Sequence, residues 1–378
     1  MAKKKLLFFS IFIIIILVFV LTIYNIIYKN NNIYLNNKDE APNFISIMLE
    51  ETASSGEYKV SKSNKWPSKG YVFNKEMSYC NNGSTLTWNE NDNSVSVNIN
   101  KTDKCYVYFD IYVPTLVEYV KSQYTGTQGE NGLYYHDSTL ANGAGDNSYR
   151  YAGASDSVNN YICLGSDTTT CPDANLFRII GVFGNQTKVI RAKSVGYQQW
   201  HTSADNTWSS SSLNAYLNGT YLTSLGTIAE KIATTTWKVG GGSGSNISAS
   251  VPATAYKNEV GSSASTTIID KKIGLMYVSD YGFAASPSAW TKILGDYDGT
   301  DANGTSIKTI NWMYMGYNEW TISRHSDNTN SAFFVNSTGN VLGSNVRSDN
   351  GVRPSFNLDS TVTYVSGDGT KSNPIRIN

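Results

Sequence analysis

Residues 6–28, LLFFSIFIIIILVFVLTIYNIIY, are almost wholly apolar, and Lys3, Lys4 and Lys5 stand directly before them. No other stretch constrains the chain so tightly. As a helix rising about 1.5 Å per residue, the run reaches ~35 Å, enough for a bilayer core of about 30 Å. The sequence therefore predicts a single-pass transmembrane anchor over 6–28 with a cytoplasmic tip at 1–5. By the positive-inside rule, the bulk of the chain lies outside the cell membrane. Tyr24 and Tyr28 suit the outer aromatic belt. A cleaved signal peptide would end in small residues of A-x-A type. Here the run ends in Asn25, Ile26, Ile27 and Tyr28. No cysteine near that point suggests lipidation, and no Gly with a Glu five residues on suggests a prepilin.

Charged residues make up 16% of the chain, against roughly 25% in an average domain. Gly, Ser, Thr, Asn and Tyr take their place, as β-rich exported proteins require for turns and strands. Setting aside Lys3 to Lys5 leaves 27 basic against 30 acidic residues. That balance excludes nucleic acid as a partner, because a nucleic-acid surface needs a basic field. The four cysteines, Cys80, Cys105, Cys163 and Cys171, form two local pairs. In an exported chain they read as disulfides, with three connectivities open. Pairing Cys80 with Cys105 and Cys163 with Cys171 closes the shortest loops, worth about 3.5 and 2.5 kcal/mol in the chain-entropy model. Neither pair has the tight spacing of a zinc site.

Residues 29–55 read as a polar stalk with a helical turn or two at Phe44 to Leu49. In 56–113, Val95, Val97 and Ile99 alternate with polar residues, as do Cys105, Val107, Phe109 and Ile111. Period two over adjacent runs predicts a small all-β, sandwich-like spacer unit, or an extension of the next domain's sheet. Pro114 marks the boundary. Thr115 and Glu118 then form a capping-box pattern for a short helix. From there to 378 one larger domain is expected. Its elements are a hairpin at 176–191 with a Gly184-Asn185 turn, short helices at 210–217 and 228–237, and a flexible loop at 239–250. A buried strand is expected at 273–278, and further strands near 320–323, 332–336, 352–358 and 361–365.

Several phrases follow one another in a recognisable order: Asp146-Asn-Ser-Tyr-Arg-Tyr151, Asn160-Tyr-Ile-Cys163, Asn175-Leu-Phe-Arg-Ile-Ile-Gly-Val182, Leu213-Asn-Ala-Tyr-Leu-Asn218 after Trp208, Gly274-Leu-Met-Tyr-Val-Ser-Asp280, Trp320-Thr-Ile-Ser-Arg324 and Gly351-Val-Arg-Pro-Ser-Phe-Asn-Leu358. The series, over about 125–378, resembles an uncharacterised surface-domain family of Gram-positive bacteria, a domain of unknown function. Through its closing Gly-Val-Arg-Pro strand it looks like the C-type-lectin-like fold shared with formylglycine-generating enzymes. The resemblance implies a C-type-lectin-like mixed α+β domain over 114–378; with the transmembrane helix and small all-β unit read from the residues, the expected fold is β-rich α+β. It brings no activity. The reactive cysteines of the formylglycine-generating relatives have no late counterpart here.

The candidate chemistry is sparse. His136, His201 and His325 form no metal-helix motif, and His136-Asp137 and His325-Ser-Asp327 read first as ordinary surface or packing histidines. Asp296, Asp298, Asp301 and Asn303 are spaced around glycines as oxygen ligands for Ca²⁺, or as a plain Gly/Asp turn. Trp208, Trp320, Arg324 and Arg353 are the candidate ligand-binding residues. The tryptophans could stack on sugars or fill the core, and Arg353 could hold an anion or serve the structure. Together these features predict a membrane-anchored extracellular adhesion protein displaying its larger domain to a protein or glycan ligand. Segments 239–267 and 296–306 are its expected exposed loops. A cell-envelope enzyme and a structural envelope protein are the rivals.

Overall fold

The computed structural model describes residues 44–62, 67, 70–89, 94–98 and 102–378. The apolar run at 6–28 lies outside them. They fall in two compact units that divide between Val113 and Pro114.

The smaller unit contains β1 (Phe44–Glu50), β2 (Tyr58–Val60), β3 (Tyr71–Cys80), β4 (Thr85–Asn89), β5 (Ser94–Asn98) and β6 (Lys104–Ile111). Four of them form a sheet in the order β2-β1-β6-β3, and β4-β5 is a separate hairpin. Alternation explains the layering. Cys105, Val107 and Phe109 point inward from β6 and meet Val95, Val97, Leu86 and Trp88 of the hairpin. The stalk reading of 44–50 is corrected. This stretch is a strand parallel to β6, because Ile45, Ile47 and Leu49 present one apolar face to the same core. Cys80 and Cys105 are register partners on β3 and β6 and are bridged by a disulfide. On the outer face Tyr79 stacks against Tyr106, with ring centroids 5.2 Å apart.

The larger unit, Pro114–Asn378, carries sixteen strands. They are β7 (Leu133–His136), β8 (Ser148–Tyr151), β9 (Tyr161–Cys163), β10 (Leu176–Phe183), β11 (Gln186–Arg191), β12 (Tyr197–Gln199), β13 (Thr235–Lys238), β14 (Ile268–Lys271), β15 (Ile273–Gly274), β16 (Glu319–Arg324), β17 (Ser331–Val335), β18 (Val341–Asn345), β19 (Asp349–Gly351), β20 (Ser355–Leu358), β21 (Tyr364–Ser366) and β22 (Ile375–Ile377). The main sheet runs β15-β20-β11-β10-β9-β22-β21, and the β7-β8 hairpin joins it through β10. A second sheet runs β12-β19-β16-β17-β18, and β13-β14 is a two-stranded ribbon. One large core joins these layers. The disulfide Cys163–Cys171 closes the loop that follows β9.

The expected fold class is corrected in its helical part. Among the described residues no helix is long and apolar enough to cross a membrane, and the larger unit, expected as a mixed α+β domain, is built chiefly of strands. Its helices are short. The helix Leu116–Ser122 forms the capping box read from Thr115 and Glu118. Residues 212–224 make a helix interrupted by a π-turn at Leu217–Tyr221. The helix expected over 228–237 is instead one 3-10 stretch, Gly226–Lys231, followed by β13. The strand expected over 273–278 pairs only at Ile273–Gly274, and Tyr277 then caps the helix Val278–Phe283. The loop at 239–250 is tied down rather than floppy. Gly242 N–H donates to the Arg324 carbonyl (3.2 Å). A Cβ on Gly241, whose φ is +62°, would lie 1.9 Å from that same oxygen, so the close approach requires glycine.

Candidate functional site

The site begins with one residue that has no side chain. β10 pairs with β11 on one side and with β8 on the other, and its register shifts at a bulge between Ile179 and Gly181. A Cβ on Gly181 would lie 2.1 Å from the Tyr149 carbonyl oxygen. Glycine therefore lets β8 approach here. The register sets Arg150, Gly181, Lys188 and Asn357 opposite one another across β8, β10, β11 and β20. Register partners share a face of the sheet. Gly181 thus stands in register between two cations, with Phe183 two residues along the same strand.

Other elements cover the two cations. Asp280 comes from the helix Val278–Phe283, Tyr256 from the helix Pro252–Glu259, and Trp237 from β13. Together with Tyr277 and Ser279 they enclose a cavity of about 140 Å³. Thr236 at its rim is exposed and Val260 half-buried. Lys188 Nζ lies 4.6 Å from the Tyr277 ring centroid, 5.4 Å from Trp237 and 5.6 Å from Phe183. The Arg150 guanidinium lies 4.7 Å from Phe183 and 5.0 Å from Tyr256. Both cations rest against π faces, which favour a positive charge in a dry setting.

The charges are balanced in place. Lys188 Nζ is 2.5 Å from Asp280 Oδ2, and Arg150 Nη1 is 3.8 Å from Asp280 Oδ1. Arg150 Nη2 donates to Asp146 (2.7 Å), and its Nε donates to the Ser148 hydroxyl (2.8 Å). Asp280 also accepts the Tyr277 N–H (2.9 Å). Burial pulls the Lys188 ammonium below its ordinary range, while Asp280 opposes the shift. Burial also works against ionisation of Asp146, but Arg150 and the Ser148 hydroxyl and amide outweigh it and hold the carboxyl at about 2. Behind the cavity, burial pushes the Glu259 carboxyl up against donors from Ser323, Ser279 and Val278. Burial raises the phenols of Tyr256 and Tyr277 as well, so they stay neutral.

One polar atom on the wall is left over. Asn357 Nδ2 donates to the Thr235 hydroxyl (3.0 Å), while its Oδ1 is buried with no partner. The Ser279 hydroxyl lies beside Glu259 without a hydrogen bond of good geometry.

The residues singled out from sequence lie elsewhere, and most are structural. Trp208 and Trp320 are buried, so the sugar-stacking reading is corrected for both. The Trp320 indole N–H donates to the Gln198 carbonyl (2.9 Å). Arg353 is buried and forks onto Glu319, and its Nη2 also reaches the Met313 carbonyl (2.8 Å). It braces the core rather than awaiting an anion. Arg324, half-buried, donates to Asn206 (3.2 Å). The calcium reading is corrected too. Asp301 Oδ1 already accepts the N–H groups of Asn303 (2.9 Å) and Thr305 (2.8 Å), while Asp296 and Asp298 are exposed. Among the described residues the metal-type group that converges is Cys80, Asp103 and Cys105, whose two sulfurs are bonded to each other.

His136 is buried against Phe283 and Trp290. Its Nδ1 accepts the Ala144 N–H (3.1 Å). Burial, with Arg150 nearby, draws it well below the usual histidine range and keeps it neutral. His201 is also buried. His325 pairs through Nδ1 with Asp327 and stacks on Phe333. Among the described residues no serine hydroxyl hydrogen-bonds its ring, so the couple lacks the contact a nucleophile needs.

Sequence reasoning missed Lys188, Tyr256 and Trp237 as a group. The available signal was a lysine inside the otherwise buried run Thr187-Lys-Val-Ile190, since lysine is rarely buried without a partner.

Residues 184–360 match a family described as a domain of unknown function (DUF6273). The match takes in Lys188, Tyr256, Asp280 and Asn357, while Arg150 lies before it. No curated protein and no solved structure matches the chain, so the lectin-like resemblance is not confirmed.

Proposed function

We propose that this is an exported binding protein whose larger unit holds a glycan or protein ligand at the Lys188–Asp280 cavity. The observation that carries this reading is the cavity's chemistry. Its charged groups are committed to one another, its walls are aromatic, and Asn357 keeps a buried polar atom unpaired. Mutually paired charges inside aromatic walls suit holding a ligand. Export is supported by the pairing of all four cysteines in disulfides. The low charge and polar, tyrosine-rich composition point the same way.

The test is a glycan and surface-protein array probed with the purified protein. A ligand whose binding falls when Trp237 is changed to alanine supports the reading. Turnover of a cell-wall substrate with no captured ligand replaces it with the enzyme reading, for which the His325–Asp327 couple is the starting point.

A further inference from the structure

We propose that the cavity lined by Lys188, Asp280 and Asn357 takes one uncharged pyranose ring, the terminal residue of a glycan. This deepens the binding reading above and rests on it.

Charge comes first. Two cations, Lys188 and Arg150, face two carboxylates, Asp280 and Asp146, at contact distance. All four side chains are buried or nearly so. A ligand of net charge would add a charge that this balanced set does not compensate, which is costly in a buried site. A neutral ligand leaves the set intact.

The walls come second. Phe183, Trp237, Tyr256 and Tyr277 surround the space. Ring faces of this kind pack against the C–H face of a saturated ring, and aromatic side chains bury large areas in doing so. A fully polar ion would not use them.

The unpaired group comes third. Asn357 is 8% exposed, lines the cavity and has no partner for Oδ1. Whichever way the amide is turned, one of its two polar atoms lacks a partner. A ring hydroxyl can both donate and accept, so it satisfies either orientation. The Ser279 hydroxyl, on the same wall, offers a second contact of the same dual kind.

Size comes last. A cavity of about 140 Å³ is on the scale of a single ring rather than of several. A second ring would have to sit outside, past Thr236 and Val260.

The experiment is titration of the full chain with neutral hexoses and N-acetylhexosamines, read by tryptophan fluorescence and by calorimetry, with glucuronate as the charged comparison. The expected result is saturable binding of at least one neutral sugar, weakened tenfold or more by Asn357→Ala. If that variant does not fold, Ser279→Ala is the substitute, with the same expected direction and a melting temperature close to that of the parent. Glucuronate binding more tightly than every neutral sugar overturns the charge argument and the proposal. Neutral-sugar binding unchanged in a folded Asn357→Ala protein also overturns it. Capture of a glycan on an array, uncompeted by any monosaccharide, overturns the single-ring inference and leaves the wider binding reading standing. Absence of any glycan or protein ligand removes both.

Discussion

Replacing Asp280 with asparagine tests the electrostatic core of the site directly. In the parent, Asp280 is the carboxylate in contact with Lys188 and the second carboxylate of Arg150. Arg150 keeps Asp146 when Asp280 is neutralised; Lys188 loses its contact carboxylate and keeps its aromatic neighbours and the more distant Glu259. Breaking a buried pair by removing one partner costs about 3–5 kcal/mol, because the remaining charge is stranded. For a unit of this size that corresponds to a fall of about 10 °C in melting temperature. Six of the eight tryptophans lie in the larger unit, so urea unfolding followed by tryptophan fluorescence reports chiefly on it. Two further outcomes follow from the same physics. Burial already pulls Lys188 below its ordinary range, so the stranded amine sheds its proton readily, and the penalty shrinks as pH rises above neutrality. Replacing Lys188 with methionine in the same chain removes the stranded charge and recovers about half of the loss. A loss below about 1 kcal/mol, or an equal loss in the Lys188→Met background, refutes the claim that this pair is a coupled buried unit.

The carboxyl of Asp146 sits at about 2 against an ordinary 3.8. A depressed carboxylate stabilises above its unfolded pKa, and that contribution fades as pH falls toward 2. Asp146→Asn should therefore cost about 2 kcal/mol at pH 7 and flatten the loss of stability between pH 4 and 2 in acid titrations followed by circular dichroism. Gly181→Ala drives a Cβ against the Tyr149 carbonyl; about 3 kcal/mol or more of destabilisation is expected in urea, and a silent substitution would deny the close approach of β8. Changing Cys163 and Cys171 together to alanine should lower stability by about 2.5 kcal/mol, measured against the parent under oxidising conditions. Millimolar Ca²⁺ should leave the melting temperature unchanged, because Asp301 spends its oxygen on backbone donors; a rise of several degrees would restore the calcium reading.

What is legible in the sequence is local. The alternation of Cys105, Val107 and Phe109 with polar neighbours gives β6 and its inward face, because side chains alternate along a strand whatever it pairs with. Thr115 and Glu118 specify their helix start by a contact three residues long. The disulfides join cysteines that are near in sequence, one of three pairings the count allows. The phrases Asp146–Tyr151, Gly274–Asp280 and Gly351–Leu358 each stand out as words, but nothing in them says that they meet.

That meeting is a property of register. A bulge in β10, a glycine that admits β8, and the pairing of β11 with β20 bring Arg150, Lys188 and Asn357 into one row. These residues are up to about two hundred positions apart in the chain. The sequence likewise states how many tryptophans exist, while only packing decides that Trp208 and Trp320 fill the core and that Trp237 walls a cavity. Strand periodicity and capping depend on neighbours a few residues away and can be read along the chain. A site assembled across four strands depends on which strands pair and in what register, and that choice is settled only when the whole core closes.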